Sequence, residues 1–129
     1  MEFTGGCQCG SVRYKVQLSQ KKAYLCHCRK CQKALGNVFA AYVNVSKTDL
    51  IWTNEKPSFY KSSEFAQRGF CIGCGSPICF EPLNSPNMDL TVGSFDDPSQ
   101  FVLVGHNGVE SRLPHFSWED TLPKFKSDE

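Results

Sequence analysis

Seven of the eight cysteines in this 129-residue chain fall into three short clusters, Cys7-Gln8-Cys9, Cys26-His27-Cys28-Arg29-Lys30-Cys31 and Cys71-Ile72-Gly73-Cys74. Tetrahedral zinc takes four thiolate or imidazole ligands in a structural site, and three plus an exchangeable fourth in a catalytic one. Seven clustered thiols divide naturally as four and three, so two zinc ions per chain are expected, one in a closed site and one in an open site. A disulfide framework is the competing use of eight cysteines in a small chain. Cysteines two or three positions apart are too close to staple distant segments. The start, Met1-Glu2-Phe3-Thr4-Gly5-Gly6, has neither the basic nor the apolar region of a secretory signal. A reducing cytoplasm is therefore the expected compartment.

With 129 residues and 40% hydrophobic content, the chain is expected to form a single zinc-stabilised domain over residues 1–129. No apolar run approaches the roughly 20 residues of a membrane span, so no membrane partner is expected. The formal net charge is +1. Two zinc ions and seven thiolates would take it to about −2, which gives a nucleic-acid partner no electrostatic support.

Val12 to Leu18 alternates apolar and polar residues, the mark of a strand with one buried face. If Cys7 and Cys9 lie in the same kind of extended chain, positions i and i+2 point the same way and both can reach one metal. Arg29 to Leu35, followed by Gly36, reads as a short helix with a glycine cap. It places Cys28 and Cys31 one turn apart near the positive end of the helix dipole, where thiol pKa values fall. Val38 to Val45, Leu50 to Trp52, Ser58 to Tyr60, Phe65 to Phe70, Ser76 to Phe80, Met88 to Val92 and Phe101 to Val104 read as strands separated by turn residues. The Phe65 to Phe70 segment could instead be irregular. The tail from Gly105 is polar and proline-containing, and is expected to be irregular.

The two symmetric two-cysteine clips make the natural four-ligand pair, Cys7 and Cys9 with Cys71 and Cys74. Spacing alone leaves other partitions open, such as Cys7 and Cys9 with Cys26 and Cys28. On the first partition, Cys26, Cys28 and Cys31 form the open site. Three thiolates around a divalent ion leave a charge of −1, which makes a poor Lewis acid for hydrolysis. Such a site suits capture of a soft thiol as its thiolate, held against an electrophile.

The runs Gly6-Cys7-Gln8-Cys9-Gly10, Cys26-His27-Cys28-Arg29-Lys30-Cys31 and Phe70-Cys71-Ile72-Gly73-Cys74-Gly75 resemble the glutathione-dependent formaldehyde-activating enzyme family in order and spacing. The tail Ser111-Arg112-Leu113-Pro114 with Asp120 to Phe125 is similar to that family's closing segment. The resemblance implies a mainly β fold of packed antiparallel sheets, of β-tent type, with one structural and one catalytic zinc on the cysteines assigned above. It also implies a carbon-sulfur lyase running in the condensing direction, joining glutathione to formaldehyde to give S-hydroxymethylglutathione at the zinc of Cys26, Cys28 and Cys31. The expected partners are thus a small-molecule thiol and an aldehyde.

Around the open site, Arg29, Lys30 and Lys33 could meet glutathione carboxylates, because arginine pairs with a carboxylate through a planar fork. A solvated helix face is the alternative for all three. His106, His115 and Arg112 lie in the tail, where a histidine could move a proton; the resemblance singles out Arg112. His27 sits between two ligands, and in an extended segment its side chain points away from their metal. Cys79 is read as a buried small hydrophobe, and Trp52, Trp118 and the ten phenylalanines as core. A zinc-stabilised interaction module without catalysis is the second function class. A basic or low-complexity extension would favour it, and the ending Lys126-Ser127-Asp128-Glu129 offers none.

Overall fold

The computed structural model describes residues 1–117 and 119–127, so Trp118 and the last two tail residues lie outside the described residues. The alternation after Val12 builds strand β2 (Arg13–Gln17). Its inward side chains Tyr14 and Val16 are almost fully buried. β2 pairs antiparallel with β1 (Glu2–Gly6) on one side and β5 (Leu50–Trp52) on the other, giving a three-stranded sheet. β1 carries no strand signal of its own, because two of its five residues are glycines. Phe3 anchors it, buried against the rings of Phe95 and Phe101.

The larger sheet contains β3 (Lys22–Cys26), β4 (Ala40–Ser46), β6 (Ser58–Lys61), β7 (Ala66–Phe70), β8 (Pro77–Pro82), β9 (Asn87–Thr91) and β10 (Val102–Asn107). Their spatial order is β10-β3-β4-β9-β8-β7-β6. Neighbours are antiparallel except β10, which runs parallel to β3. One expectation is corrected here: the tail is not irregular from Gly105. Pairing along the free edge of β3 draws Gly105-His106-Asn107 into a strand that their polar character does not announce.

The two sheets share one core. Tyr14 and Val16 from the small sheet meet Val43, Val45, Ile78 and Leu90 from the large one, all at 2% exposure or less. Burying each aliphatic side chain of this size contributes about 1.5–3 kcal/mol. The phenylalanines are not uniformly core: Phe3 and Phe95 are buried, but Phe65, Phe116 and Phe125 are exposed. These three sit in loops and the tail, outside the alternation that buries a strand residue. Trp52 is half-buried against the core.

The other face of the large sheet is where the short helix sits. α1 (Arg29–Leu35) ends at Gly36, whose φ of 60° is the left-handed cap conformation expected of it. Cys31 packs there with Ala40 and Tyr42, and Cys26, Cys28, Leu35 and Phe80 close round them. Among the described residues no helix is long and apolar enough to cross a membrane.

Candidate metal centres

The first cluster gathers Cys7, Cys9, Cys71 and Cys74, whose sulfurs all lie within 4.8 Å of one another. Cys7 and Cys9 occupy the turn between β1 and β2, not an extended strand. The turn is closed by Gly10 N–H donating to the Cys7 carbonyl at 3.2 Å, and Val12 N–H donates to Cys7 Sγ at 3.2 Å. The reversal brings Cys7 Sγ to 3.5 Å from Cys9 Sγ, closer than an extended i, i+2 pair would come. Cys71 and Cys74 form a knuckle between β7 and β8, pinned by Gly75 N–H donating to the Cys71 carbonyl at 2.7 Å.

Bonds of about 2.3 Å in a tetrahedron put sulfurs about 3.8 Å apart. Cys9 Sγ to Cys71 Sγ is 3.7 Å, so this donor set fits zinc. Two hydroxyls support it: Ser11 Oγ lies 3.2 Å from Cys9 Sγ and 3.3 Å from Cys71 Sγ, and Ser76 Oγ lies 3.1 Å from Cys74 Sγ. The Ser76 hydroxyl and backbone N–H draw the Cys74 thiol down to about 5. Burial pushes Cys7 up, but the Val12 N–H and Ser11 hydroxyl outweigh it and leave the thiol at about 7. Thiols held this way are ready to lose their protons to a metal.

The second cluster gathers Cys26, Cys28 and Cys31, again with sulfurs within 4.8 Å of one another. Cys26 ends β3, Cys28 caps α1 and Cys31 lies in its first turn. Cys26 Sγ is 3.5 Å from Cys28 Sγ, and Cys31 N–H donates to Cys28 Sγ at 3.3 Å. Burial pushes the Cys26 thiol up to about 12. Burial also works against Cys28, but the Cys31 N–H and neighbouring thiols prevail and lower it. Among the described residues no fourth donor joins the three. Instead the cluster borders a cavity of about 520 Å³, so the donor set and the space beside it fit a zinc ion with one open position. The sulfurs gather as Cys7, Cys9, Cys71 and Cys74 in one group and Cys26, Cys28 and Cys31 in the other. All eight cysteines are free thiols.

Register explains the wall of this cavity. Cys26 pairs with Ala40, Asn44 with Asp89, Asp89 with Phe80 and Phe80 with Arg68, and paired residues share a sheet face. Among the described residues Asp89 is the one carboxylate lining the cavity. Asn44 Nδ2 donates to its Oδ1 at 2.9 Å, yet burial keeps its pKa raised. Arg68 donates to the Tyr42 hydroxyl at 3.0 Å and to Cys31 Sγ at 3.5 Å. Neither residue stands out in the sequence, because each is an ordinary polar residue within a strand, distant along the chain from Cys26, Cys28 and Cys31.

Lys30 lines the cavity, whereas Arg29 and Lys33 border a shallow cleft on the far side of α1. Arg29 donates to Gln32, which holds the His27 and Ser111 carbonyls at 2.7 and 3.0 Å. His27 projects to the opposite side of β3, nearly fully buried, with its Nε2 2.9 Å from His106 Nδ1. Burial, with His106 and Arg112 nearby, lowers its pKa. His27, His106 and Arg112 line a separate cavity of about 270 Å³. Arg112, the tail arginine singled out by the resemblance, is thus placed away from the three thiols. His115 is exposed in the tail. Cys79 is buried under Gly69, and burial pushes its thiol up to about 12.

Two packed sheets, a closed group of four cysteines and an open group of three beside a cavity define a small β protein whose cysteine clusters could hold metal. The sequence profile of the glutathione-dependent formaldehyde-activating enzyme family matches residues 2–106. The chain belongs to that family. An uncharacterized lyase of Schizosaccharomyces pombe is 33% identical over 86 residues, which cover 67% of this chain and 62% of that protein. The match therefore spans less than two thirds of the relative. A crystal structure of a Rhodobacter sphaeroides protein shares the fold, with a TM-score of 0.65 and 23% identity over 81% of this chain and 99% of that one.

Proposed function

We propose that the chain is a zinc-dependent carbon-sulfur lyase of thiol-adduct chemistry. It joins a small thiol, glutathione or a similar one, to formaldehyde or another small aldehyde as an S-hydroxymethyl adduct. The observation that carries this reading is the contrast between four sulfurs closed on one another and three sulfurs opening onto a 520 Å³ cavity. The family supports it, and the S. pombe relative bears the name of a lyase.

Cys26, Cys28 and Cys31 would hold the ion, which when bound supplies a fourth position for a soft thiol and favours its thiolate at neutral pH. In the reaction the thiol sulfur attacks the carbonyl carbon, a sulfur-carbon bond forms, and the carbonyl oxygen takes up a proton. Asp89 accepts the thiol proton as the sulfur enters and returns it to that oxygen, so the carboxyl ends as it began. A raised carboxyl pKa suits a group that must both take and give a proton near neutrality. Lys30 lies where it can meet a carboxylate of the thiol substrate. Eight free thiols call for a reducing compartment, for which the cytoplasm is our assignment.

Aldehydes and thiols combine unaided, so the test is a rate above background. Exchange between free and S-hydroxymethylated glutathione is followed by nuclear magnetic resonance at a fixed pH, with and without protein. Acceleration by the zinc-loaded chain, abolished in Cys28→Ser and reduced about 100-fold or more in Asp89→Asn, is the expected result. No acceleration over buffer with any small aldehyde would sink the reading.

A further inference from the structure

Arg68 is 7% exposed, and no acidic side chain pairs with it among the described residues. Its donors go to the Tyr42 hydroxyl and to Cys31 Sγ, and its Cζ lies 4.8 Å from the centre of the Phe80 ring. A buried cation is costly unless an anion answers it. The anion within reach is the sulfur of an open-site cysteine. The closed site is built differently, since its sulfurs meet hydroxyls and backbone N–H groups but, among the described residues, no hydrogen-bonded cation.

We propose that Arg68 is a positioning residue of the open site: through Cys31 Sγ it offsets the −1 charge that three thiolates leave on a divalent ion, so that an incoming thiol binds as its anion. This rests on the reading that the site takes a thiol. Without the guanidinium, a fourth thiolate would bring the centre to −2 in a partly buried cavity. With it, the centre and its counter-charge together reach only −1. A hydrogen bond to the sulfur also weakens Cys31 as a donor, which leaves the ion a better acceptor for the fourth ligand. Arginine suits the place because its flat guanidinium can lie against Phe80 while its fork reaches both Tyr42 and Cys31.

The test uses the full chain loaded with cobalt(II) at both sites and titrated with 2-mercaptoethanol, a neutral probe, at constant pH. Thiolate-to-cobalt charge-transfer absorption reports binding without any assay of activity. The wild type is expected to show a saturable increase. Arg68→Gln is expected to bind the probe about tenfold more weakly, about 1.4 kcal/mol, and Arg68→Lys to recover most of that loss. Tyr42→Phe keeps the charge but removes the hydroxyl that fixes it, and an intermediate loss is expected; it decides the matter if Arg68→Gln does not fold. Unchanged affinity in Arg68→Gln, or in Tyr42→Phe if it must stand alone, would overturn the proposal and leave the thiol reading standing. Equal loss in the lysine and glutamine variants would overturn the charge role. A wild type with no spectral response would sink the thiol reading, and the proposal with it.

Discussion

At the scale of single residues, the eight cysteines separate into three environments with different consequences. Metal affinity at a closed site is folding free energy, so Cys7→Ser and Cys74→Ser are expected to lose folded, soluble protein. Cys28→Ser is expected to stay folded with about one zinc fewer per chain, by elemental analysis and circular dichroism. Equal unfolding in all three would refute the division. Cys79 belongs to neither site. Its folded pKa of about 12 exceeds the unfolded value near 8.5, so the neutral thiol stabilises the fold below about pH 8.5. That contribution falls as pH rises toward 12, by about 1.4 kcal/mol per unit between the two values. Urea midpoints at pH 8 and pH 10 are therefore expected to diverge more in the wild type than in Cys79→Ala. The two groups of cysteines were legible in the sequence because their spacing is itself the chemistry. Arg68 and Asp89 were not, because pairing across strands brings them to the open site. Nor were Ser11 and Ser76, two residues from Cys9 and Cys74, because only the local turns aim their hydroxyls at the sulfurs.

At the scale of elements, the junction of β10 with the open site shows what local pattern could not. Gly108 follows β10 with φ of 64°, and a Cβ there would stand 2.9 Å from the Cys28 backbone nitrogen. Any side chain meets both a left-handed backbone and the capping residue of α1. Gly108→Ala is expected to cost about 1–2 kcal/mol from the conformation alone. It is also expected to loosen the second metal on dialysis while the closed site stays loaded. Gly93→Ala, where nothing lies within 4 Å, is the control and is expected to keep both. The helix, seven of the ten strands and the first half of β10 were readable from periodicity and punctuation. β3 was not singled out as a strand, and β1 and the last half of β10, a glycine-rich and a polar segment, become strands here through the partners they find.

At the scale of the whole molecule, the two centres do different mechanical work. The closed group ties a turn of the small sheet to a knuckle of the large one, whereas the open group lies within residues 26–31, on one face of the large sheet. A chelator added stepwise is expected to take the second ion first with the circular dichroism unchanged, then the first with cooperative unfolding. A single step in which both ions leave together with the fold would contradict this.

The first centre also carries a kinetic consequence. Cys9 and Cys71 stand 62 positions apart in the chain with their sulfurs 3.7 Å apart. Closing a loop of that length costs about 4 kcal/mol of chain entropy, and an ion can hold it shut only after the two ends have met. Recovery of a metal-stripped, unfolded chain then becomes a slow search that speeds up as free metal rises. The six-residue second cluster, with almost no loop to close, refills as fast as ions arrive.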